Sequence, residues 1–304
     1  MPEIKIQPPF LKEGDEVAII SPSWAIDEDK ISSAVDFLES WGLRVRIGRN
    51  ALNRNGPFAG TDNERLEDLE AVISDPAVRG VFCSRGGYGL LKIIDRADLK
   101  PIRRFPKWFV GFSDITVLHI WLNEVHGIIS IHGDMPLNYN DRNKSQATFG
   151  TLYNCLFGCP EPVRWRGPVI RPAEISGEIT GGNLSLLYSL IGTRGEPLTK
   201  GKILFIEDTG EYYYHLDRML TSLKLAGKLS DLAALVAGGF TKMEDTSIPW
   251  GKSSQDIIKD IVSDQHYPVF FDFPAGHVDD NRAFYIGGKA GIKIKNEEAS
   301  LSFI

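Results

Sequence analysis

The sequence predicts an α/β protein in two parts, a parallel sheet with helices on both faces followed by a more mixed half. Three observations carry this reading. Short apolar runs alternate with helix-period segments as far as residue 157. A stretch over 158–176 is rich in Pro and Gly, cannot continue regular structure and reads as a linker. Beyond it, from 177 to 304, strand-like runs return, and the tail (Gly291 to Lys295, Leu301 to Ile304) alternates with period two.

Taken in order, Val17 to Ile20 reads as a strand, Asp27 to Trp41 as a helix stopped by Gly42, and Arg44 to Ile47 as the next strand. Thr61-Asp62-Asn63-Glu64 is a capping box that opens a helix running through Ile73. Gly80 to Cys83 is a strand leading into Arg85-Gly86-Gly87-Tyr88-Gly89 and a short helix. Trp108 to Val110 is a buried strand, and the apolar run from Ile115 to Leu122 a helix packed on the sheet. Ile128 to Ile131 closes the first half, and a helix from Ser145 to Phe157 leads to the linker. In the second half, Lys202 to Glu207, Leu232 to Ala237 and Pro268 to Phe273 read as strands. His215 to Ala226 and Ser254 to Gln265 read as helices.

Composition narrows the function classes. The chain has 304 residues, 42% apolar and 24% charged, ordinary for a globular protein with a sizeable core. A formal charge of −6 without a Lys/Arg block argues against a nucleic-acid partner. No apolar run approaches the ~20 residues of a membrane span, and the N-terminus lacks the pattern of a secretory signal. Three cysteines suit a reducing compartment, so a cytoplasmic location is expected. Cys155 and Cys159 could be half a metal site, but no second pair matches them, so no metal is expected.

Chemistry concentrates at Ser113, on the turn between a predicted strand and helix. A serine there points away from the sheet beside helix N-terminal N–H groups, the geometry of a nucleophile elbow with half an oxyanion hole. Gly111 permits the tight turn, while Ile115 stands where the second glycine of Gly-x-Ser-x-Gly would fall. By itself, Ser-Asp before an apolar run reads more readily as a helix cap, with Asp114 capping or favouring the first turn. The Gly86-Gly87 turn and Ser113 both fall at strand C-termini, where ligands of parallel sheets sit. Arg85 to Gly89 has a rival reading as a phosphate loop, though its spacing matches neither nucleotide-binding fingerprint.

A nucleophilic serine needs a base and an orienting carboxylate. Of six histidines, His119 and His126 fall on the helix after Ser113 as exposed or partly packed rings, and His215 and His266 at helix ends. His132 and His277 each follow an apolar strand beside a glycine, and pattern does not separate them. Glu207 ends a buried strand and is the leading carboxylate, with Arg218 or a local N–H as its structural partners.

The set Gly111-Phe112-Ser113-Asp114, Gly181-Gly182-Asn183-Leu184, Phe205 to Glu211, Asp217-Arg218 and Gly276-His277 resembles the LD-carboxypeptidase family from about Lys12 to the C-terminus. That family contains cytoplasmic muramoyltetrapeptide carboxypeptidases and microcin C self-immunity peptidases. The resemblance implies a Rossmann-like N-terminal domain and a β-rich, barrel-like C-terminal domain. Its catalytic serine, glutamate and histidine fall on Ser113, Glu207 and His277; no cofactor is implied, and a homodimer is. The oxyanion would be held by the Asp114 N–H and one from Gly86 or Gly87. Arg85 would clamp the substrate carboxylate, with a surface ion pair as its other reading. Phe284-Tyr285-Ile286-Gly287 stands where a Leu-Pro-like dipeptide usually precedes a glycine, a departure in local strand geometry.

The function so implied is release of terminal D-alanine from murein tetrapeptides in peptidoglycan recycling. One alternative is cleavage of an aminoacyl-nucleotide conjugate, which calls for an aromatic platform such as Trp165 or Trp250. Another is a non-catalytic α/β binding module, which has no need of all three triad residues.

Overall fold

The computed structural model describes residues 5–141 and 143–304. The chain runs β1 (Glu16–Ile20), α1 (Glu28–Glu39), β2 (Arg44–Ile47), α2 (Asp62–Ser74), β3 (Val78–Cys83), β4 (Trp108–Gly111), α3 (Thr116–His126), β5 (Ser130–His132) and α4 (Gln146–Phe157). These alternating elements form a parallel sheet, as expected: β1, β3 and β4 pair in parallel, with buried apolar residues from Val17 to Ile20, Val81 to Cys83 and Trp108 to Val110. α2 opens on the capping box, with both Thr61 and Glu64 engaged.

The second half continues with β6 (Val163–Trp165), β7 (Val169–Ile170), β8 (Ile175–Asn183), α5 (Leu184–Ser189), β9 (Ile203–Thr209), α6 (Tyr213–Leu225), β10 (Ala234–Thr241), α7 (Ser254–Ile261), β11 (Val269–Phe270), β12 (Phe284–Ile286), β13 (Lys289–Lys295) and β14 (Glu298–Phe303). Eight of these strands, with β8 at the hinge between parallel and antiparallel pairing, make a mixed sheet ordered β6-β14-β13-β8-β9-β10-β11-β7. The second half is β-rich, as expected.

Three local readings are corrected. The Pro/Gly-rich stretch over 158–176 does hold regular structure, because β6 and β7 pair at the two sheet edges, where Pro between strands breaks no ladder. β12, from the far end of the chain, joins the first sheet, antiparallel to β5, giving the order β12-β5-β4-β3-β1-β2. Finally, α3 packs on the sheet as expected but is covered on its other side as well: every residue from Thr116 to Asn123 is buried, since the helix lies between the sheets and packs on both β5 and β8. His119 is therefore buried rather than exposed. It donates from Nε2 to the Gly111 carbonyl at 2.8 Å, and its Nδ1 lies 2.8 Å from Ser130 Oγ.

One apolar core runs through both halves, linking Ile20, Phe109 and Leu118 to Leu204, Ile206 and Leu220. The C-terminal ends of β3 and β4 thus open toward those of β9 and β10. Among the described residues, no helix is long and apolar enough to cross a membrane.

Candidate active site

Ser113 stands on the predicted turn. Its φ of +63° is a left-handed conformation that costs an L-residue about 1–3 kcal/mol and is characteristic of sites where geometry is enforced. A Cβ on Gly111 would come within 2.8 Å of the Ile115 side chain, so the tight turn requires glycine there. Asp114 does not cap the helix. Its Oδ2 accepts from Ser23 Oγ (2.6 Å) and Leu90 N (3.0 Å), tying the serine turn to the loops after β1 and β3. Burial raises its carboxyl above the usual range, against those two hydrogen bonds.

The Arg85–Gly89 loop packs over this turn. A Cβ built on Gly86 would lie 2.9 Å from Ser113 Oγ and 3.3 Å from the Asp114 N. The missing side chain keeps open the space that an oxyanion held by the Asp114 N–H would need. Gly87, at φ +111°, leaves no room for a Cβ beside the Trp24 ring. The loop is thus packed closely onto Trp24 and the serine turn on one side while it lines the cleft on the other. Arg85 stacks over Trp24 at 5.5 Å and donates to the Ala25 carbonyl at 3.1 Å while lining the cleft. Burial lowers its pKa, with Asp27 working against this.

Glu207 and His277 meet from separate elements. Glu207 is fully buried on β9, and its Oε2 accepts from His277 Nδ1 at 2.7 Å and from the His277 backbone N at 3.2 Å. Gly276, at φ +104°, makes this approach possible, since a Cβ there would sit 2.7 Å from the same carboxylate oxygen. The bond fixes the neutral tautomer: the proton is on Nδ1 and the lone pair on Nε2. Burial lowers the His277 pKa, but the charge and hydrogen bond of Glu207, helped by Asp208, outweigh it and hold the ring above its ordinary value. Arg218 lies over Tyr214 at 5.4 Å, away from this pair.

Ser113, His277, Arg85, Gly86 and Gly87 all line one cleft of about 660 Å³. Several further residues line this cleft without a signal of their own in the sequence. Lys144 pairs with buried Asp134 at 3.2 Å and donates to the Val278 carbonyl. Lys242, at φ +51°, and Glu211 reach it from the ends of β10 and β9. Asp208 is pushed up to about 7 by burial and the adjacent Glu207 charge, though Thr209 N and Asn183 Nδ2 both donate to it. Asn183, at the end of the Gly181-Gly182-Asn183 motif, donates from its backbone N to Thr116 Oγ1 at 2.9 Å, joining the halves beside the serine turn. Lys144 and Lys242 carry no local signal, being lone lysines in polar loops. Trp165 is buried, donating to the Phe271 carbonyl, and Trp250 lines a separate pocket with Ile248; neither is at the cleft. His132 is buried away from it as well.

Comparison with known proteins decides the family. The LD-carboxypeptidase N-terminal domain matches residues 17–133, and the LD-carboxypeptidase C-terminal domain matches 176–292. The chain belongs to the LD-carboxypeptidase family. The probable murein peptide carboxypeptidase of Bacillus subtilis is similar to it, 35% identical over 97% of this chain and 94% of the relative. The muramoyltetrapeptide carboxypeptidase from Oxalobacter formigenes shares its fold, with a TM-score of 0.86 and 28% identity over 95% of this chain and 98% of the other. The microcin C7 self-immunity protein MccF, solved with aspartyl sulfamoyl adenosine, superposes with a TM-score of 0.87. At 19% identity over 98% of each chain, it is a likeness of fold. This member of the family is accordingly a hydrolase and a serine-type carboxypeptidase.

Proposed function

We propose that this protein is an LD-carboxypeptidase that releases terminal D-alanine from murein tetrapeptides, a step of peptidoglycan recycling in the cytoplasm. The observation that carries the reading is the Glu207–His277 pair opening on the same cleft as the strained Ser113. His277 Nε2 takes the Ser113 proton as the hydroxyl attacks the scissile carbonyl, and Glu207 steadies the imidazolium that forms. The Asp114 N–H and the Gly86-Gly87 backbone receive the oxyanion; His277 then returns the proton to the departing amine of D-alanine. A water, deprotonated by the same ring, hydrolyses the acyl-enzyme. Arg85 is the carboxylate clamp in this reading.

The experiment is mass-spectrometric analysis of murein tetrapeptide incubated with the enzyme. The expected product is tripeptide plus D-alanine, and the diastereomer ending in L-alanine stays nearly intact because its methyl or carboxylate is misplaced; about 1 Å of misplacement already costs roughly 100-fold. Ser113→Ala and His277→Ala should each lower turnover by on the order of 10⁴ to 10⁶, the double variant scarcely further. A folded Ser113→Ala protein with near-normal turnover would refute the assignment. Inert tetrapeptide with rapid hydrolysis of an aspartyl-adenylate analogue would move the reading to the nucleotide-conjugate peptidases.

A further inference from the structure

His132 matched His277 in sequence pattern but stands outside the cleft, and its surroundings give it another task. It ends β5 directly beside Gly111 of β4, the strand that delivers Ser113. Its ring is 1% exposed, stacked on Phe284 at 4.8 Å and edge-on to Phe205 at 5.2 Å. Phe112, the residue before Ser113, lies 5.7 Å from His132 and 4.9 Å from His277 by ring centroids, so one phenyl ring touches both imidazoles.

The polar contacts run the same way. The backbone N–H of Gly276 donates to the Asn281 side chain at 2.9 Å, which only the amide oxygen can accept. That fixes the orientation of the amide. His132 Nε2, 3.2 Å from the same oxygen, must then be the donor. Asn281 is fully buried and is anchored in turn by its own N–H, which donates to Thr148 Oγ1 on α4 at 3.0 Å. Gly276 is the residue pressed against Glu207 and adjoining His277.

We propose that His132 and Asn281 form a positioning pair that transmits the place of the Ser113 strand to the His277 loop. Ser113 follows a strand of the first sheet and His277 lies on the loop that runs from β11 of the second sheet to β12 of the first; this pair is a direct hydrogen-bonded path between the strand beside one and the residue beside the other. The inference rests on the serine mechanism proposed above. Deep burial keeps His132 neutral, its pKa lowered to about 3, so the donor persists across the working range.

The test compares His132→Phe, which keeps ring volume and removes the donor, with His132→Gln, whose amide restores a donor at similar reach. Active sites are counted by fluorophosphonate labelling, so that unfolded protein does not enter the rate. In His132→Phe, kcat per labelled site should fall roughly 10- to 100-fold with KM within about 3-fold. The acid limb of kcat/KM should move down as His277 slackens against Glu207, with Asp208 and Lys144 (the other charges acting on that ring) unchanged. His132→Gln should recover most of the loss. A purely structural role would reduce the labelled fraction and leave kcat per site and the acid limb alone, overturning the proposal. Should His132→Phe fail to fold, nitrogen NMR of the wild-type ring decides: a neutral Nε2–H tautomer from about pH 5 to 9 supports the pair, and an Nδ1–H tautomer overturns it. Ser113→Ala is assayed alongside; retained turnover there would fault the serine mechanism and leave the His132 tautomer as the independent test of the pair.

Discussion

Gly86 shows how a residue can matter through the atom it lacks. Its absent Cβ leaves room within 2.9 Å of Ser113 Oγ and 3.3 Å of the Asp114 N, where a developing oxyanion would sit. Gly86→Ala should therefore lower kcat by roughly 10² to 10³, comparable to loss of an oxyanion donor, with a normal far-ultraviolet spectrum. An alanine variant with wild-type kcat would place the oxyanion elsewhere. Glu207 acts through charge as well as contact, since it holds His277 above the ordinary histidine value. In the proposed mechanism His277 works deprotonated, so the acid limb of kcat/KM should lie above about 6.5 and fall in Glu207→Gln, which keeps an acceptor and loses the charge. An acid limb unmoved in that variant would remove Glu207 from this role. The effect on stability has the opposite sense: the pairing stabilises the charged ring, fully so below about 6.5, and that contribution is lost as pH rises through the folded value.

At the scale of elements, most of the first sheet is legible in the sequence, because its central strands are short apolar runs and α2 carries its own start signal in Thr61 and Glu64. What sequence pattern could not give are elements defined by distant partners. β12 is three residues long, and only its pairing with β5, across some 150 residues of chain, makes it part of the first sheet. The same limit left His132 and His277 unresolved: both follow strands and adjoin glycines, and only the long-range approach of Glu207 distinguishes them. Helix α3 misled for a related reason, since its second buried face exists only because β8 covers it. Burying His119 there lowers its pKa to about 4, while its bond to the Gly111 carbonyl works the other way. The unfolded chain binds that proton near 6.5, so this residue's contribution to stability is intact above 6.5 and lost as pH falls toward 4, by about 3 kcal/mol in all. Asp208, raised to about 7, acts with the opposite sign, so the useful quantity is a difference between proteins. His119→Gln should be less stable than wild type at pH 7 in urea, and the gap should narrow by about pH 4.5. A gap that stays constant would show that His119 is not held neutral.

For the whole molecule, the question is whether the two sheets fold as separate units, as the alternation of sequence character suggests. The contacts between them argue otherwise. The largest apolar core contains β1, β4 and α3 residues together with those of β9, β10 and α6. Beside it, Lys202 on the second sheet bonds to Glu124 of α3 at 2.8 Å and to Glu178 of β8 at 2.7 Å, and Lys5 reaches the same Glu178 along with Asn123 of α3. These charges are mostly buried, and parting the sheets would break the two pairs that cross between the halves, Lys202–Glu124 and Lys5–Glu178, a change that typically costs about 3–5 kcal/mol per broken pair, while Lys202–Glu178 lies within the second half. β12 adds a topological tie, because the first sheet takes its edge strand from the chain between β11 and β13, both strands of the second sheet. Calorimetry should therefore show one transition, with the van't Hoff enthalpy equal to the calorimetric one, a condition that independent domains do not meet. Glu124→Gln should lower the single midpoint without splitting it. Two resolved transitions, in either protein, would mean that the sheets are stable apart and that the catalytic alignment rests on a separable interface.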